Sequence, residues 1–132
     1  MTGTRWWPTI REIAEDVRTN LVAGDADHAL RMLIDGINHL PAIEAEDRLD
    51  EALDEPDTTG DPRWDALLAA AVRYRLHTMG VRPPSWTYKE PLEKFWWPTA
   101  TWDSAAYNDL AHTPAELLRL GIFLDERAFT TA

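Results

Sequence analysis

Histidine, serine and carboxylate side chains are the groups from which this chain could assemble reactive chemistry. Its histidines are His28, His39, His77 and His112. No two stand at i, i+4, the spacing that turns two imidazoles toward one zinc ion from a helix, and no cysteine exists to complete a mixed ligand set. A local metal motif is absent, and no cofactor is expected. The serines, Ser85 and Ser104, lie outside any GxSxG turn that would expose a nucleophile. No GxGxxG or Walker A pattern offers a phosphate cradle. Carboxylates abound, but acid and base roles require two of them in opposed environments, which an exposed acidic run does not provide. An enzyme would therefore need a site assembled from distant residues, with His77, His112 and nearby carboxylates as its starting set. The expectation is a binding protein, not an enzyme.

The carboxylates are unevenly spread. Nine of the 23 lie between Glu44 and Asp61 with Arg48 as the sole base, so this stretch carries net −8 of a total of −10. Such a run can be a solvated face that keeps the chain soluble, or a positioned ligand for a basic surface; both readings stand at this level. The partner-binding candidates are Glu44, Glu46, Asp47, Asp50, Glu51, Asp54 and Glu55, with Trp96 and Trp97 as anchors, since tryptophan is a favoured interface residue. Trp6–Trp7 and Trp96–Trp97 are adjacent pairs, and helical neighbours point about 100° apart, so one member of each pair is expected to stay partly exposed. The competing reading is that most of the aromatics fill a small core.

These residues must be positioned by a series of helices. Thr9 and Glu12 have capping-box spacing, Ile10, Ile13, Val17 and Leu21 fall on one stripe, and Gly24 suits the left-handed position after the last turn. Asp25 can cap the next helix, whose apolar residues keep the 3.6 period from Ala26 to Ile37 until Pro41. Residues 1–41 thus form a helical hairpin. Residues 42–61 read as an acidic connector, a marginal exposed helix or a loop, with Pro56 to Gly60 as a break. Asp61-Pro62 opens a central helix over 62–80, with Trp64, Leu67, Leu68, Ala71, Val72, Leu76 and Met79 as its stripe. Residues 81–132 are rich in Trp and Pro and allow short helices at Pro91 to Trp97 and Asp103 to Leu110. Thr113 and Glu116 have capping-box spacing with Pro114 at the first helical position, and Asp125 can cap a last turn near Phe129. Sustained two-residue alternation is absent, so the fold class is all-α, a single-domain helical bundle.

Composition narrows the function classes. With 13 Lys plus Arg against 23 Asp plus Glu, phosphate tracking has little to work with and direct nucleic-acid binding is not expected. A DNA-contacting regulator would require Arg5, Arg11, Arg18 and Arg31 to gather on one face. The opening residues lack the apolar run of a signal peptide, and no stretch approaches a membrane span, so no membrane role is expected and a cytoplasmic location is. Oligomeric state cannot be read from the residues.

The blocks Gly60 to Ala70, Pro84-Ser85-Trp86, Phe95-Trp96-Trp97-Pro98 and Thr113 to Glu116 leading to Gly121 to Asp125, with Asp25 to Leu40 after Ala23-Gly24, resemble a group of small actinobacterial antitoxin-type or accessory proteins. These are encoded beside nucleotidyltransferase-like toxins, alone or fused to helix-turn-helix regulators. The resemblance implies an antitoxin that neutralises a cognate toxin of that kind by direct contact. This chain lacks room for a separate helix-turn-helix domain, which argues against autoregulation by DNA binding.

Overall fold

The computed structural model describes residues 7–43, 46–99 and 111–130, the side chains at 46 and 47 excepted. Among these the fold is all-α. Its helices are α1 (Ile10–Val22), α2 (Ala26–Ile37), α3 (Glu46–Ala52), α4 (Pro62–Thr78) and α5 (Ala115–Leu118), with single 3₁₀ turns at Leu40–Ala42 before α3, Ser85–Thr87 after α4 and Glu126–Phe129 after α5.

The hairpin forms as its caps dictate. The Thr9 side chain accepts from the Glu12 amide while the Glu12 carboxylate accepts from the Thr9 amide, closing the capping box of α1. Gly24 turns the chain with φ of 78°, and Asp25 accepts from the His28 amide to start α2. The two helices pack closely at Gly36, where a Cβ would stand 2.5 Å from Ile13 Cδ1. The smallest residue is needed there for contact, not for turn geometry.

Helix α4 is the centre of the bundle. Asp61 caps it through the Arg63 amide, with Pro62 in its first turn, and Gly80 follows it at φ of 71°. Besides the predicted stripe, Ala66, Ala69 and Ala70 are buried, so the helix is covered on nearly every side and its alanines let neighbours approach. Arg75 ties three elements together. Its Nη2 donates to Asn38 Oδ1 beyond α2 at 2.6 Å and to the Phe129 carbonyl at 2.7 Å. One apolar cluster runs from Trp7 to Phe129 and draws on all five helices.

The C-terminal third departs from the sequence expectation in two places. Residues 91–97 are not a helix. Pro91 and Pro98 bound a segment too short to satisfy its own amides, and the chain instead lies extended beside residues 120–123. Leu92 donates to the Leu120 carbonyl and Trp96 to the Gly121 carbonyl, while Phe123 donates back to Trp96, each at 2.9 Å. Leu92, Phe95 and Trp96 therefore do not share a side: Phe95 is 73% exposed, while Leu92 and Trp96 pack against the core. Nor does Thr113 form a capping box. Its hydroxyl accepts from the Leu124 amide at 3.0 Å, Pro114 occupies the cap position, and Glu116 turns to His77. The side chain that sequence spacing assigned to the helix start is spent on holding the returning segment. The helix expected over Asp103 to Leu110 lies outside the described residues.

Candidate functional site

The acidic connector is more integrated than its composition suggests. Its apolar residues Ile43, Leu49, Ala52 and Leu53 are all buried in the core. Leu49, Ala52 and Leu53 lie at i, i+3 and i+4, which anchors one side of α3 and leaves Asp50, Glu51, Asp54 and Glu55 exposed, with Asp57 exposed just beyond. Arg48 lies in the same helix, 3.5 Å from Glu51 and over the Trp7 ring at 5.3 Å. Glu46 and Asp47 begin α3, and Glu44 lies outside the described residues.

Three contacts fix the stretch after α3. Trp86 Nε1 donates to the Leu53 carbonyl at 2.8 Å, and Arg11 Nε donates to the Glu55 carbonyl at 3.0 Å. The third is a knot around Asp65, on the first turns of α4. Its carboxylate accepts from the Thr58 hydroxyl at 2.6 Å, from the Thr59 amide at 2.7 Å and from the Thr59 hydroxyl at 2.7 Å. Thr59 is only 2% exposed, so the predicted break at 56–60 is a packed turn. A solvated linker would leave these groups to water; here each finds a protein partner.

Asp61, the last acid of the run, does structural work. Burial raises its pKa, but hydrogen bonds from the Arg63 side chain and amide, and the guanidinium charge, outweigh this and hold it below the usual aspartate value. Asp125 behaves alike at the last turn: hydrogen bonds from the Arg127 side chain and amide lower its pKa against the opposing effect of burial, with a further contribution from the His112 charge.

Trp96 and Trp97 are each partly buried. Trp96 meets Trp64 edge to face at 5.4 Å beneath the Arg63 guanidinium at 4.9 Å, and Trp97 stacks on Phe123 at 4.5 Å. Besides Trp7 under Arg48, the acidic run is met by Trp86. It lines a cleft of about 180 Å³ with Glu55, Pro56, Asp57, Thr58 and Lys89. Neither Trp86 nor Asp65 stood out in the sequence as belonging with the acids. Asp65 lies in the first turns of α4, and only the fold brings residues 58–59 back to it.

Among the described residues, His77 and His112 engage different carboxylates. His77 Nδ1 lies 2.5 Å from Glu116 Oε2 on an exposed seam between α4 and α5, while His112 acts on Asp125. Among the described residues no group of three or more His, Cys, Asp or Glu is arranged to hold a metal ion, and no helix is long and apolar enough to cross a membrane. Arg11 and Arg18 share a stripe of α1 and Arg31 is exposed on α2, whereas Arg5 lies outside the described residues. Neither family models nor curated proteins nor solved structures give a match to the chain.

Proposed function

We propose that this chain is a protein-interaction module that presents the acidic face of α3 and the following turn to a basic surface on a partner. The observation that supports this most is the coexistence of exposure and anchorage. Asp50, Glu51, Asp54, Glu55 and Asp57 face solvent, while the backbone that carries them is held by Trp86, Arg11 and Asp65. Charges on an ordered backbone need little further ordering when they bind, so more of their attraction is available for association. Trp86 and the half-buried Trp96 and Trp97 are the aromatic groups available to slow release. In keeping with the resemblance in the sequence, the partner is a nucleotidyltransferase-like toxin whose cleft, built for phosphates, is basic, and the chain acts as its antitoxin.

The test uses the chain co-expressed with a nucleotidyltransferase-like protein from the neighbouring reading frame. D50N/E51Q/D54N/E55Q should keep its fold, bind at least tenfold more weakly at low salt, and lose most of the salt dependence of association. Unchanged affinity and an unchanged salt slope in the folded variant would sink the electrostatic mechanism. Absence of any complex between the wild-type pair would sink the choice of partner.

A further inference from the structure

A second surface lies on the outer side of α1. Arg11, Glu15, Arg18 and Val22 follow one another by four, three and four residues, which places them in a single stripe within roughly 60° of arc. All four are exposed, Val22 by 83%, and they line a cleft of about 630 Å³ that opens between α1 and Asp57-Thr58. Among the described residues, the Glu15 and Arg18 side chains have no hydrogen-bond or ion-pair partner. Arg11 is steadied by the Glu55 carbonyl.

We propose that this stripe pairs antiparallel with the same stripe of a second copy of the chain. The spacing is that of a coiled-coil seam, and the order of charges selects both the orientation and the occupant. A parallel pairing would set Arg11 against Arg11, Glu15 against Glu15 and Arg18 against Arg18, all repulsive. A two-fold axis midway between positions 15 and 18 instead sets Glu15 opposite Arg18 of the second copy, and Arg18 opposite its Glu15. The same axis brings Arg11 of each copy over Val22 of the other, where the aliphatic stem of the arginine covers the exposed valine. The stripe is thus its own complement, as an isologous interface demands. Exposed ion pairs with a single apolar contact at each end make a weak dimer that weakens further with salt. The pairing is argued from the order of charges along α1 and does not require that the acidic face bind a partner.

Sedimentation equilibrium of the full chain over a range of concentrations tests it, at low salt and again at high salt. Wild type should self-associate reversibly to a dimer. R18E places like charges opposite one another twice and should raise the dissociation constant about tenfold or more, whereas the swapped variant E15R/R18E should return it close to wild type. R31E, on α2 and off the stripe, should leave it unchanged. Circular dichroism of each variant checks that the fold is intact, as expected for exposed positions. A monomeric wild type would give the stripe to some other occupant and overturn the proposal. So would a dimer indifferent to R18E, or a swapped variant as monomeric as R18E.

Discussion

Asp65 holds the turn that follows the acidic helix, and removing its carboxylate should release that turn. The Thr59 amide loses its one acceptor in a site only 2% exposed. A buried donor left without a partner costs about 1–3 kcal/mol. The Thr59 hydroxyl loses the shorter of its two acceptors but keeps the Asp61 carbonyl at 3.2 Å and still accepts from the Asp61 amide at 3.4 Å, so its share is smaller. Thr58 is exposed and water replaces the carboxylate there at little cost. Together these put D65A at about 2–4 kcal/mol of lost stability. D65N keeps an acceptor for Thr59 and presents its amide NH2 to Thr58, whose hydroxyl can reverse its role, so about half that loss is expected. Urea denaturation of the three proteins measures the first quantity. Amide hydrogen exchange at Thr59 and Gly60 measures the second, and should accelerate in D65A well beyond what the global change in stability explains. If D65A falls within about 0.5 kcal/mol of wild type, or if Thr59 exchanges as slowly as before, the turn is not held by this knot. The preorganised acidic face would lose its main support.

Two further predictions concern the framework. G36A should destabilise the chain by about 1–3 kcal/mol in thermal or urea unfolding, because the new Cβ meets buried Ile13 at 2.5 Å; the roughly 1 kcal/mol that alanine gains over glycine in an isolated helix works against this, and a net increase in stability would refute the close packing of α1 on α2. Asp61 and Asp125 have folded-state pKa values below the ordinary 3.8, so the stability they contribute is complete above that value and is lost as pH falls through the folded one. Unfolding titrations should accordingly show stability declining on the acid side of about pH 4, with a shallower decline in D61N and D125N, and equal slopes in all three proteins would remove these pairs as the cause.

What the sequence made legible was local chemistry. Thr9 with Glu12, Asp25, Asp61 with Pro62, and Asp125 all cap where their neighbours indicate, because a cap joins groups two or three residues apart and needs little from the rest of the chain. The failures share the opposite cause. Thr113 and Glu116 have the same spacing as Thr9 and Glu12, yet each is taken by a partner far along the chain, Leu124 and His77. Residues 91–97 had enough apolar positions for a helical turn, but the backbone carbonyls at 120–121 offer Leu92 and Trp96 better acceptors than a turn bounded by Pro91 and Pro98 can. At the candidate site the exposed acids were legible as a concentration of charge. The groups that fix them, Trp86, Arg11 and Asp65, were not, since nothing local marks a residue as the partner of a turn closed only by folding.

Asp50 and Glu51, the part of the acidic face on α3, and the core beneath them are two sides of one short helix. Seven residues are too few for a helix to persist alone in water, and the carboxylates at 50, 51, 54 and 55 repel one another along the segment. What overcomes this is burial of Leu49, Ala52 and Leu53, with each large side chain contributing about 1.5–3 kcal/mol when fully removed from water. The same burial orients the acids, because a helix whose apolar side is fixed has no freedom in which way its other side points. Repulsion within the face is then energy held in reserve. It costs stability in the free protein and would be relieved when a basic surface neutralises it, so neutralising these acids should leave the isolated chain slightly more stable while weakening its complex. A solvated face without a partner would show the first effect and not the second, and that divergence separates the two readings of the acidic run.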